Sequence, residues 1–433
     1  MYIPTIKIHK TMNKTKEIWI AGFALFSLFF GAGNLILPPT LGVKSGLDWW
    51  VVVLGFVTTA VTIPILAIFA HAKLQGTLFD FGKKVSPFFS TAYCLLIYTI
   101  AIAIPSPRTA AVTHEMTVQP FFGTAPVLTS IIYFFLVFIF AMNRSRIIGL
   151  IGQFLTPVIV TILLIIIGVA IFSSPETILP STFKIPFVDG LLEGYQTFDA
   201  IGGVVVGAVI IISLNYSTHT SFKARKKLIR QAGIIAGLGL FLIYGGLILS
   251  GSLFSSTFVE NASRIEILSS LSAQTLGGLG ASFLSILVAL ACFTTAVGIV
   301  TGTADYIKGI CNNSQKAYTI TAATASIIGI VVGSYQVDFI ITIAVPALMF
   351  LYPITIVLIL LNIVPEKFAS KRVFRAVVLV TFLFSIPDFL GFVIPEENLT
   401  GIKNSIPLAN YSLGWVIPVC LVFVVFNLMK KTP

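Results

Sequence analysis

The sequence predicts an all-α protein that crosses a membrane about twelve times. Composition is the first reason, because 57% of the 433 residues are hydrophobic and only 10% are charged. In soluble domains about a quarter of the residues are charged. The second reason is that the apolar residues form long runs, and a helix needs about 20 such residues to span a bilayer. No long soluble domain fits between the runs, so the lipid bilayer is the surrounding medium for most of the chain.

Twelve apolar runs meet this length criterion, and they follow a polar amino-terminal segment, residues 1–17. The first run is too long for a secretory signal peptide and has no clear cleavage site, so we expect it to remain as a transmembrane helix. The runs cover residues 18–42, 48–70, 88–106, 125–142, 147–173, 190–214, 231–252, 278–303, 317–334, 337–362, 373–394 and 411–429.

The basic residues predict the orientation of these spans. Segments on the side of the amino terminus each hold at least two lysines or arginines, whereas each segment on the opposite side, including the one with Arg108, holds at most one. Cytoplasmic loops of membrane proteins are enriched in basic residues. This pattern predicts a multi-pass protein of the plasma membrane with both termini in the cytoplasm. It also explains the net charge of +11 without nucleic acid as a partner.

The first span contains Gly31, Gly33 and Asn34 near the middle of the membrane. Glycine destabilises a helix interior by about 1 kcal/mol relative to alanine, so this cluster favours a break in the helix. Unwound backbone in a membrane is found only where it is buried in protein or lines a cavity. The alternative is close packing between two helices through small residues.

The sixth span shows a similar interruption, with Gly194 and Gly202 on either side of Asp199. Glycine-interrupted helices at corresponding positions in two halves of a chain indicate a transporter binding site. The positions of the two interruptions predict a five-plus-five inverted repeat followed by two further helices. The three parts are residues 18–173, 190–362 and 373–429.

A broken helix exposes N–H groups at the start of one half and carbonyl groups at the end of the other. In the first span, the N–H groups of Ala32, Gly33 and Asn34 are suited to bind a carboxylate. The carbonyl groups near Ser27 and Phe30, with the side-chain oxygen of Asn34, are suited to bind a cation or an ammonium group. A zwitterionic amino acid matches both ends of the break.

The eighth span contributes two adjacent hydroxyl groups, those of Thr294 and Thr295. Hydroxyl oxygens are hard ligands that suit a sodium ion. The alternative is that each hydroxyl donates to a carbonyl group one turn earlier in its own helix, as is common for threonine in membrane helices.

Four groups of residues resemble the branched-chain amino acid:cation symporter family (BrnQ type), and the resemblance extends over essentially the whole chain. They are Gly31-Ala32-Gly33-Asn34 with Pro38-Pro39; Pro107-Arg108-Thr109-Ala110 with Val112 and Glu115; Gly194-Tyr195 with Thr197 and Asp199; and Thr294-Thr295-Ala296-Val297-Gly298. Two residues differ from the pattern of the family. Phe198 stands where methionine is expected and Val206 where phenylalanine is expected, which affects the predicted shape of the binding pocket.

The resemblance implies a LeuT-like fold and uptake of leucine, isoleucine and valine by alternating access, driven by sodium as the coupling ion. It implies no other cofactor and no obligate protein partner. By analogy with the LeuT-like sodium site between the first and eighth spans, the ion would bind carbonyl groups of Ser27 and Phe30 and hydroxyl groups of Thr294 and Thr295.

The same resemblance suggests a dry pocket for the aliphatic side chain of the substrate. Its walls are expected to include the four residues Tyr98, Phe198, Ile201 and Phe293.

Three charged residues are expected to act in gating or coupling, namely Arg108, Glu115 and Asp199. A charge at the centre of a membrane costs about 2.5–3.5 kcal/mol on insertion scales, so charges there are usually paired or functional. Arg108 and Glu115 fall at the predicted outer end of the third span, where water can reach them. Asp199 falls within or near the membrane.

Two alternatives to a sodium symporter stay open at this point. One is a proton-coupled carrier in which Asp199 or Glu193 titrates. The other is a membrane-embedded enzyme, but the sequence contains no His-Glu-x-x-His, Gly-x-Ser-x-Gly or P-loop motif, and its four histidines are scattered. We therefore expect a transporter and not an enzyme.

Overall fold

The computed structural model describes residues 14–31, 34–143, 146–173, 177–205, 222–258 and 262–429. These residues form helices and connecting segments and contain no β-strand. Among them, nine continuous helical stretches are long and apolar enough to cross a membrane; two of these, Leu37–Leu74 and Pro87–Phe122, each join several of the helices named below. Shorter apolar helices cover Glu17–Ser27 and Val416–Leu428. The predicted all-α membrane bundle is therefore confirmed, whereas the number of twelve spans and the division into two repeats stay predictions.

The first half of the chain forms ten helices, with π-helical segments at Thr58–Thr62 and His114–Val118. α6 begins at Ser86, whose Oγ accepts from Phe89 N at 3.0 Å and so satisfies a free backbone N–H group. The helices are α1 Lys14–Phe29, α2 Leu37–Ser45, α3 Trp49–Val57, α4 Ile63–Leu74, α5 Leu78–Gly82, α6 Pro87–Ala103, α7 Pro105–Thr113, α8 Gln119–Phe122, α9 Pro126–Asn143 and α10 Arg146–Ser173.

The described residues of the second half form nine helices, of which α14 is the longest and bends at Gly277, where φ is 72° and ψ is 172°. Ser263 and Glu266 form a capping box that starts α14. The helices are α11 Pro186–Tyr195, α12 over residues 199–205, α13 Phe222–Leu253, α14 Arg264–Ile310, α15 Gln315–Gly333, α16 Val337–Ile363, α17 Lys371–Leu390, α18 Glu396–Ser405 and α19 Val416–Leu428.

Both predicted helix breaks are present. The first lies between α1 and α2, where Phe30 and Gly31 are non-helical and a turn begins at Asn34. The second lies between α11 and α12, where Phe198 has a φ of 61° in the left-handed region that non-glycine residues rarely adopt. Because each break interrupts a buried apolar run, its free backbone groups require partners inside the protein.

Close packing holds the halves of the broken helices in place. α2 packs against α13, and α11 packs against α3. The backbones of α3 and α11 approach so closely that a Cβ atom on Gly55 would overlap the carbonyl oxygen of Phe187, and one on Gly190 would overlap that of Val52. On the other side of the bundle, α16 packs against α4 and α17, and α17 packs against α19.

The third predicted span ends too early. Its helical course continues past residue 106 through α7, the second π-helical segment and α8 to Phe122, with an interruption at Ile104. The hydrogen-bond pattern continues through this interruption, because Arg108 N donates to Ile104 O at 3.1 Å. Arg108 therefore lies within a buried helix and not in a solvated loop, and the expectation that water reaches it is wrong.

Candidate functional site

The two helix breaks meet at a hydrogen bond between an amide and a carboxylate. Asn34 Nδ2, from the first break, donates to Asp199 Oδ1 at 2.8 Å, and Asp199 lies at the start of α12 directly after the second break. Tyr244 from α13 donates its hydroxyl to Asp199 Oδ2 at 3.3 Å. All three side chains are buried, with Asn34 4% and Asp199 6% exposed. Two distant segments of the sequence thus build one polar centre inside the apolar bundle.

Arg108 brings a positive charge to the same centre. Its Nη1 donates to the carbonyl oxygen of Gln196 at 2.8 Å, and its Nη2 donates to Asn34 Oδ1 at 3.4 Å. The guanidinium carbon lies 5.4 Å from the centre of the Phe198 ring, a cation–π distance. Arg108 is 3% exposed, and its Nε has no hydrogen-bond partner. The arginine satisfies an unwound carbonyl of the second break and retains a free donor.

The resulting chain Arg108–Asn34–Asp199, which we call the central triad, places charges of opposite sign on the two sides of one amide. Asn34 accepts from Arg108 through Oδ1 and donates to Asp199 through Nδ2. Buried charges are stable only when opposite charges and hydrogen bonds compensate them. A small molecule that carries both a cation and an anion can make the same two contacts as the amide of Asn34.

The residues predicted to bind the cation make no contact with one another among the hydrogen bonds and ring contacts of the described residues. The hydroxyl groups of Thr294 and Thr295 both donate to Ala291 O at 2.9 Å, as the alternative for these residues predicted. Ser27 Oγ lies 2.9 Å from Thr156 Oγ1 on α10. Within the described ranges, no hydrogen bond or ring contact connects either threonine to Ser27 or Phe30. A donating hydroxyl still has free lone pairs, so the assignment of these residues to sodium stays a prediction.

Two of the predicted substrate-binding residues lie at the second break, and two do not. Phe198 and Ile201 are buried, 6% and 4% exposed, and the Phe198 ring lies against Arg108. Tyr98 instead stacks on Tyr306 of α14, with ring centres 4.3 Å apart. Phe293 packs edge-to-face against the aromatic rings of α9, 5.3 Å and 5.7 Å away.

Ala32 and Gly33, which were predicted to bind the substrate carboxylate, lie outside the described residues.

Glu115 lies apart from the central triad. Its Oε1 accepts from the backbone N–H of Val337 at 2.7 Å, at the first residue of α16. A carboxylate at this position satisfies a free N–H group and interacts favourably with the positive end of the helix dipole. This geometry gives Glu115 a contact between two helices, and its expected role in gating or coupling stays a prediction.

Arg264, at the start of α14, forms a second charged group that the sequence analysis did not identify. Its Nη1 contacts Asp338 Oδ1 at 2.6 Å, and its Nη2 lies 3.6 Å from Glu193 Oε2 on α11. Its Nη2 also donates to the side-chain oxygen of Gln196 at 3.4 Å. We call Arg264, Glu193 and Asp338 the Arg264 cluster. It connects three elements, namely α11, α14 and α16.

Gln196 links this cluster to the central triad, because its side chain accepts from Arg264 and its carbonyl oxygen accepts from Arg108. Tyr244 is a further residue that the sequence analysis missed. Tyr244 could have been found as a single tyrosine within a largely apolar span. Gln196 could have been found from its position directly after Gly194-Tyr195.

Comparison with known proteins places the chain among transporters. Residues 14–432 match the family model described as branched-chain amino acid transport protein. The branched-chain amino acid transport system 2 carrier protein of Pseudomonas aeruginosa is 32% identical over 422 residues, which cover 96% of each chain. The branched-chain amino acid permease BraB of Bacillus subtilis is 33% identical over 416 residues, which cover 93% of each chain.

Solved structures with low sequence identity share the fold. Mhp1 in an inward-facing conformation has a TM-score of 0.62 at 12% identity, covering 96% of this chain and 91% of its own. A manganese transporter mutant of Eremococcus coleocola has a TM-score of 0.61 at 15% identity, covering 96% and 97%. MhsT has a TM-score of 0.50 at 16% identity, covering 95% and 97%. The expected LeuT-like fold is therefore confirmed.

These relatives are named as carriers and permeases, which confirms that the protein is a multi-pass membrane transporter and not an enzyme. Their similarity extends over nearly the whole chain, as the resemblance noted in the sequence had indicated. The chain belongs to the branched-chain amino acid transport protein family.

Proposed function

We propose that the protein imports leucine, isoleucine and valine by symport with a cation, with sodium as the coupling ion, through alternating access. The observation that supports this proposal best is the central triad at the meeting point of two broken helices. Substrate sites of transporters with broken helices lie at such points, where helix ends and unwound backbone provide both signs of partial charge. The names of the two relatives support branched-chain amino acids as the substrate class.

The central triad suggests how the zwitterionic part of the substrate binds. In this structure the amide of Asn34 offers a donor to Asp199 and an acceptor to Arg108. The ammonium and carboxylate groups of an amino acid have the same polarity with full charges, and charge-assisted hydrogen bonds are about twice as strong as neutral ones. The substrate would therefore replace Asn34 on both sides. Its ammonium group would bind Asp199 and its carboxylate would bind Arg108, including the free Nε.

The aliphatic side chain needs a dry environment, which Phe198 and Ile201 support at the second break. Burial of an aliphatic side chain contributes about 1.5–3 kcal/mol. We keep Tyr98 and Phe293 as further walls of the pocket, although they contact other aromatic rings in this structure. Movement of α6, which carries Tyr98, and of α14, which carries Phe293, relative to α1 and α12 during transport would bring the two rings toward the substrate.

Sodium is proposed as the coupling ion because the carbonyl groups at the end of α1, near Ser27 and Phe30, and the hydroxyl groups of Thr294 and Thr295 provide hard oxygen ligands. The proton-coupled alternative assigns the coupling step to Asp199 or Glu193. We further propose that the protein lies in the plasma membrane with both termini in the cytoplasm.

Uptake of labelled leucine into proteoliposomes, with sodium and pH gradients imposed separately, tests the proposal. We expect accumulation when sodium is higher outside, and its collapse when a sodium ionophore is added. Accumulation with a pH gradient alone would favour the proton-coupled alternative. If neither gradient drives accumulation of leucine, isoleucine or valine, the proposed function is wrong.

A further inference from the structure

A second buried carboxylate lies outside the central triad, in the last turn of α17. Asp388 is 4% exposed, and neither of its carboxylate oxygens has a hydrogen-bond partner. The helix that carries it is long and apolar enough to span a membrane. Asp199, in contrast, accepts hydrogen bonds from Asn34 and Tyr244. Asp388 thus has the burial of a functional acid without the donors that stabilise a negative charge.

An ionised carboxylate in this position would be strongly unfavourable. Removing a charged group from water without hydrogen bonds or a paired charge costs several kcal/mol even after relaxation of the protein. Ionisable residues within transmembrane segments are therefore usually functional, and they bind a partner or change their protonation. A bound positive ion would neutralise Asp388, and the environment of the carboxylate indicates which ion fits.

The elements around Asp388 present few charged or ionisable groups. Lys403 on α18 is the charged side chain that acts electrostatically on the carboxylate. α11 presents Tyr195, whose hydroxyl interacts electrostatically with Asp388. Tyr352 of α16 stacks on the other side of the Tyr195 ring. Trp415, directly before α19, has a buried indole N–H without a partner, and the only other ionisable group on that helix, Cys420, is exposed.

Lys403 supplies a positive charge and Tyr195 a hydroxyl, but neither forms a hydrogen bond with the carboxylate oxygens of Asp388. Within the part of the chain that the structure describes, no three His, Cys, Asp or Glu side chains lie together in a group that suits a metal ion. A metal ion that loses its water shell needs several oxygen ligands in its place. A proton needs only one carboxylate oxygen, and it converts the group into a neutral acid that a buried apolar site tolerates.

We propose that Asp388 is a proton-binding site of this transporter. The proton adds to one carboxylate oxygen to give a neutral carboxylic acid, and on release it returns to water as hydronium. This site is separate from the sodium and substrate sites of the proposed function, and neither the family nor its relatives' names assign it. It also lies near the second helix break, because Tyr195 is the last residue of α11.

The stacked rings of Tyr195 and Tyr352, 4.4 Å apart, separate the proton site from the central triad. Both hydroxyl groups are buried and have no hydrogen-bond partner in this structure. Rotation of α11 about the break would move the Tyr195 hydroxyl relative to Asp388 and change the stability of the bound proton. Proton binding at Asp388 is thereby sensitive to the conformation of the broken helix.

Infrared difference spectroscopy of the full-length protein in lipid nanodiscs tests this proposal without leucine or sodium. We expect the wild type to gain the C=O band of a protonated, buried carboxyl group when the pH is lowered from about 8 to about 5, because burial favours the neutral acid, and this band should shift in D₂O. Asp388→Asn should remove this band. Asp388→Glu should keep a protonated carboxyl band at a shifted position, so a change in fold is distinguished from loss of the acid.

Two controls identify the band. Glu397→Gln removes an exposed carboxylate on α18 and should leave the band unchanged, and Asp199→Asn reports any contribution of the central triad. A wild-type spectrum that Asp388→Asn does not alter overturns the proposal. The proposal is also overturned if Asp388→Asn removes the band of an ionised carboxylate and not the C=O band, because Asp388 would then be ionised in the wild type. Neither result depends on leucine uptake, so failure of the proposed function is recognised separately.

Discussion

Replacing Asp199 with asparagine tests the charge of the central triad while keeping the size of the side chain. The structure places this carboxylate 2.8 Å from Asn34 Nδ2 and 3.3 Å from the hydroxyl of Tyr244, in a site with 6% exposure. If the substrate ammonium replaces the amide of Asn34, Asp199→Asn exchanges an ionic contact for a neutral one. It also leaves Arg108 without the opposite charge in the same centre.

The expected loss follows from the burial of the pair. Truncating one partner of a buried hydrogen-bonded charge pair costs about 2–5 kcal/mol. Asparagine retains an oxygen acceptor, so we take the lower end, about 2 kcal/mol, which corresponds to about 30-fold in the dissociation constant. A ligand without the ammonium group should lose much less affinity in this variant, because it makes no ionic contact with Asp199.

Binding of leucine and of 4-methylpentanoate, which is leucine without its amino group, is measured on the same purified protein by calorimetry. Asp199→Asn should weaken leucine binding about 30-fold and leave the deaminated analogue within about threefold. The mirror variant Arg108→Gln should weaken leucine much more than leucinol, which lacks the carboxylate. Asp189→Asn is the matched control, since Asp189 lies on α11 and contacts only the local backbone N–H of Ile185.

Unchanged leucine affinity in Asp199→Asn would refute the assignment of the ammonium to this carboxylate. An equal loss for leucine and 4-methylpentanoate would refute it as well, because such a loss indicates a damaged pocket. Thermal stability of each variant is measured in parallel, so a folding defect is recognised.

Three further predictions concern the cluster, the coupling ion and the orientation. Arg264→Gln removes the 2.6 Å contact with Asp338, whose side chain is 40% exposed. We expect the conformation with the cluster closed to lose about 1 kcal/mol of stability, which raises the ratio of open to closed conformations about fivefold. Spin-label distances between α14 and α16 measure this ratio. The exchange Arg264→Asp with Asp338→Arg should reverse the shift, and failure to do so would argue against a direct ionic contact. Changing Thr294 to alanine and Thr295 to valine should raise the sodium concentration for half-maximal uptake at least tenfold with little change in thermal stability; wild-type sodium activation would exclude these ligands. Cys311, exposed between α14 and α15, should react with an impermeant maleimide only after cells are permeabilised, and labelling of intact cells would reverse the proposed orientation.

The sequence predicted the existence of both helix breaks, but it located the second one only approximately. Glycines at 194 and 202 indicated an interruption, whereas the unwound residues run from Gln196 to Phe198 and include no glycine. The position is set by contacts from elsewhere in the chain, because the carbonyl of Gln196 accepts from Arg108, 88 residues away. The helix propensity of the local sequence carries no information about such a long-range contact.

The depth of Arg108 was missed for a related reason. The apolar run ends at residue 106, but Pro105 occupies the first turn of α7, where a missing N–H group has no cost. The chain therefore resumes its helix and carries the arginine into the bundle. Arg264 was not identified from the sequence because its partner Asp338 lies 74 residues further along the chain.

Gln196 has a thermodynamic consequence that neither arginine has alone. Its two oxygen atoms bind the two arginines separately, the carbonyl oxygen binding Arg108 and the side-chain oxygen binding Arg264. If a change at one site displaces Gln196, the free energy of the other site changes too. The effect in the reverse direction is equally large, because linkage between two equilibria is reciprocal. If opening of the Arg264 cluster raises leucine affinity by some factor, leucine must favour the open cluster by an equal factor. One glutamine side chain and its own peptide bond thus suffice to make access and occupancy interdependent.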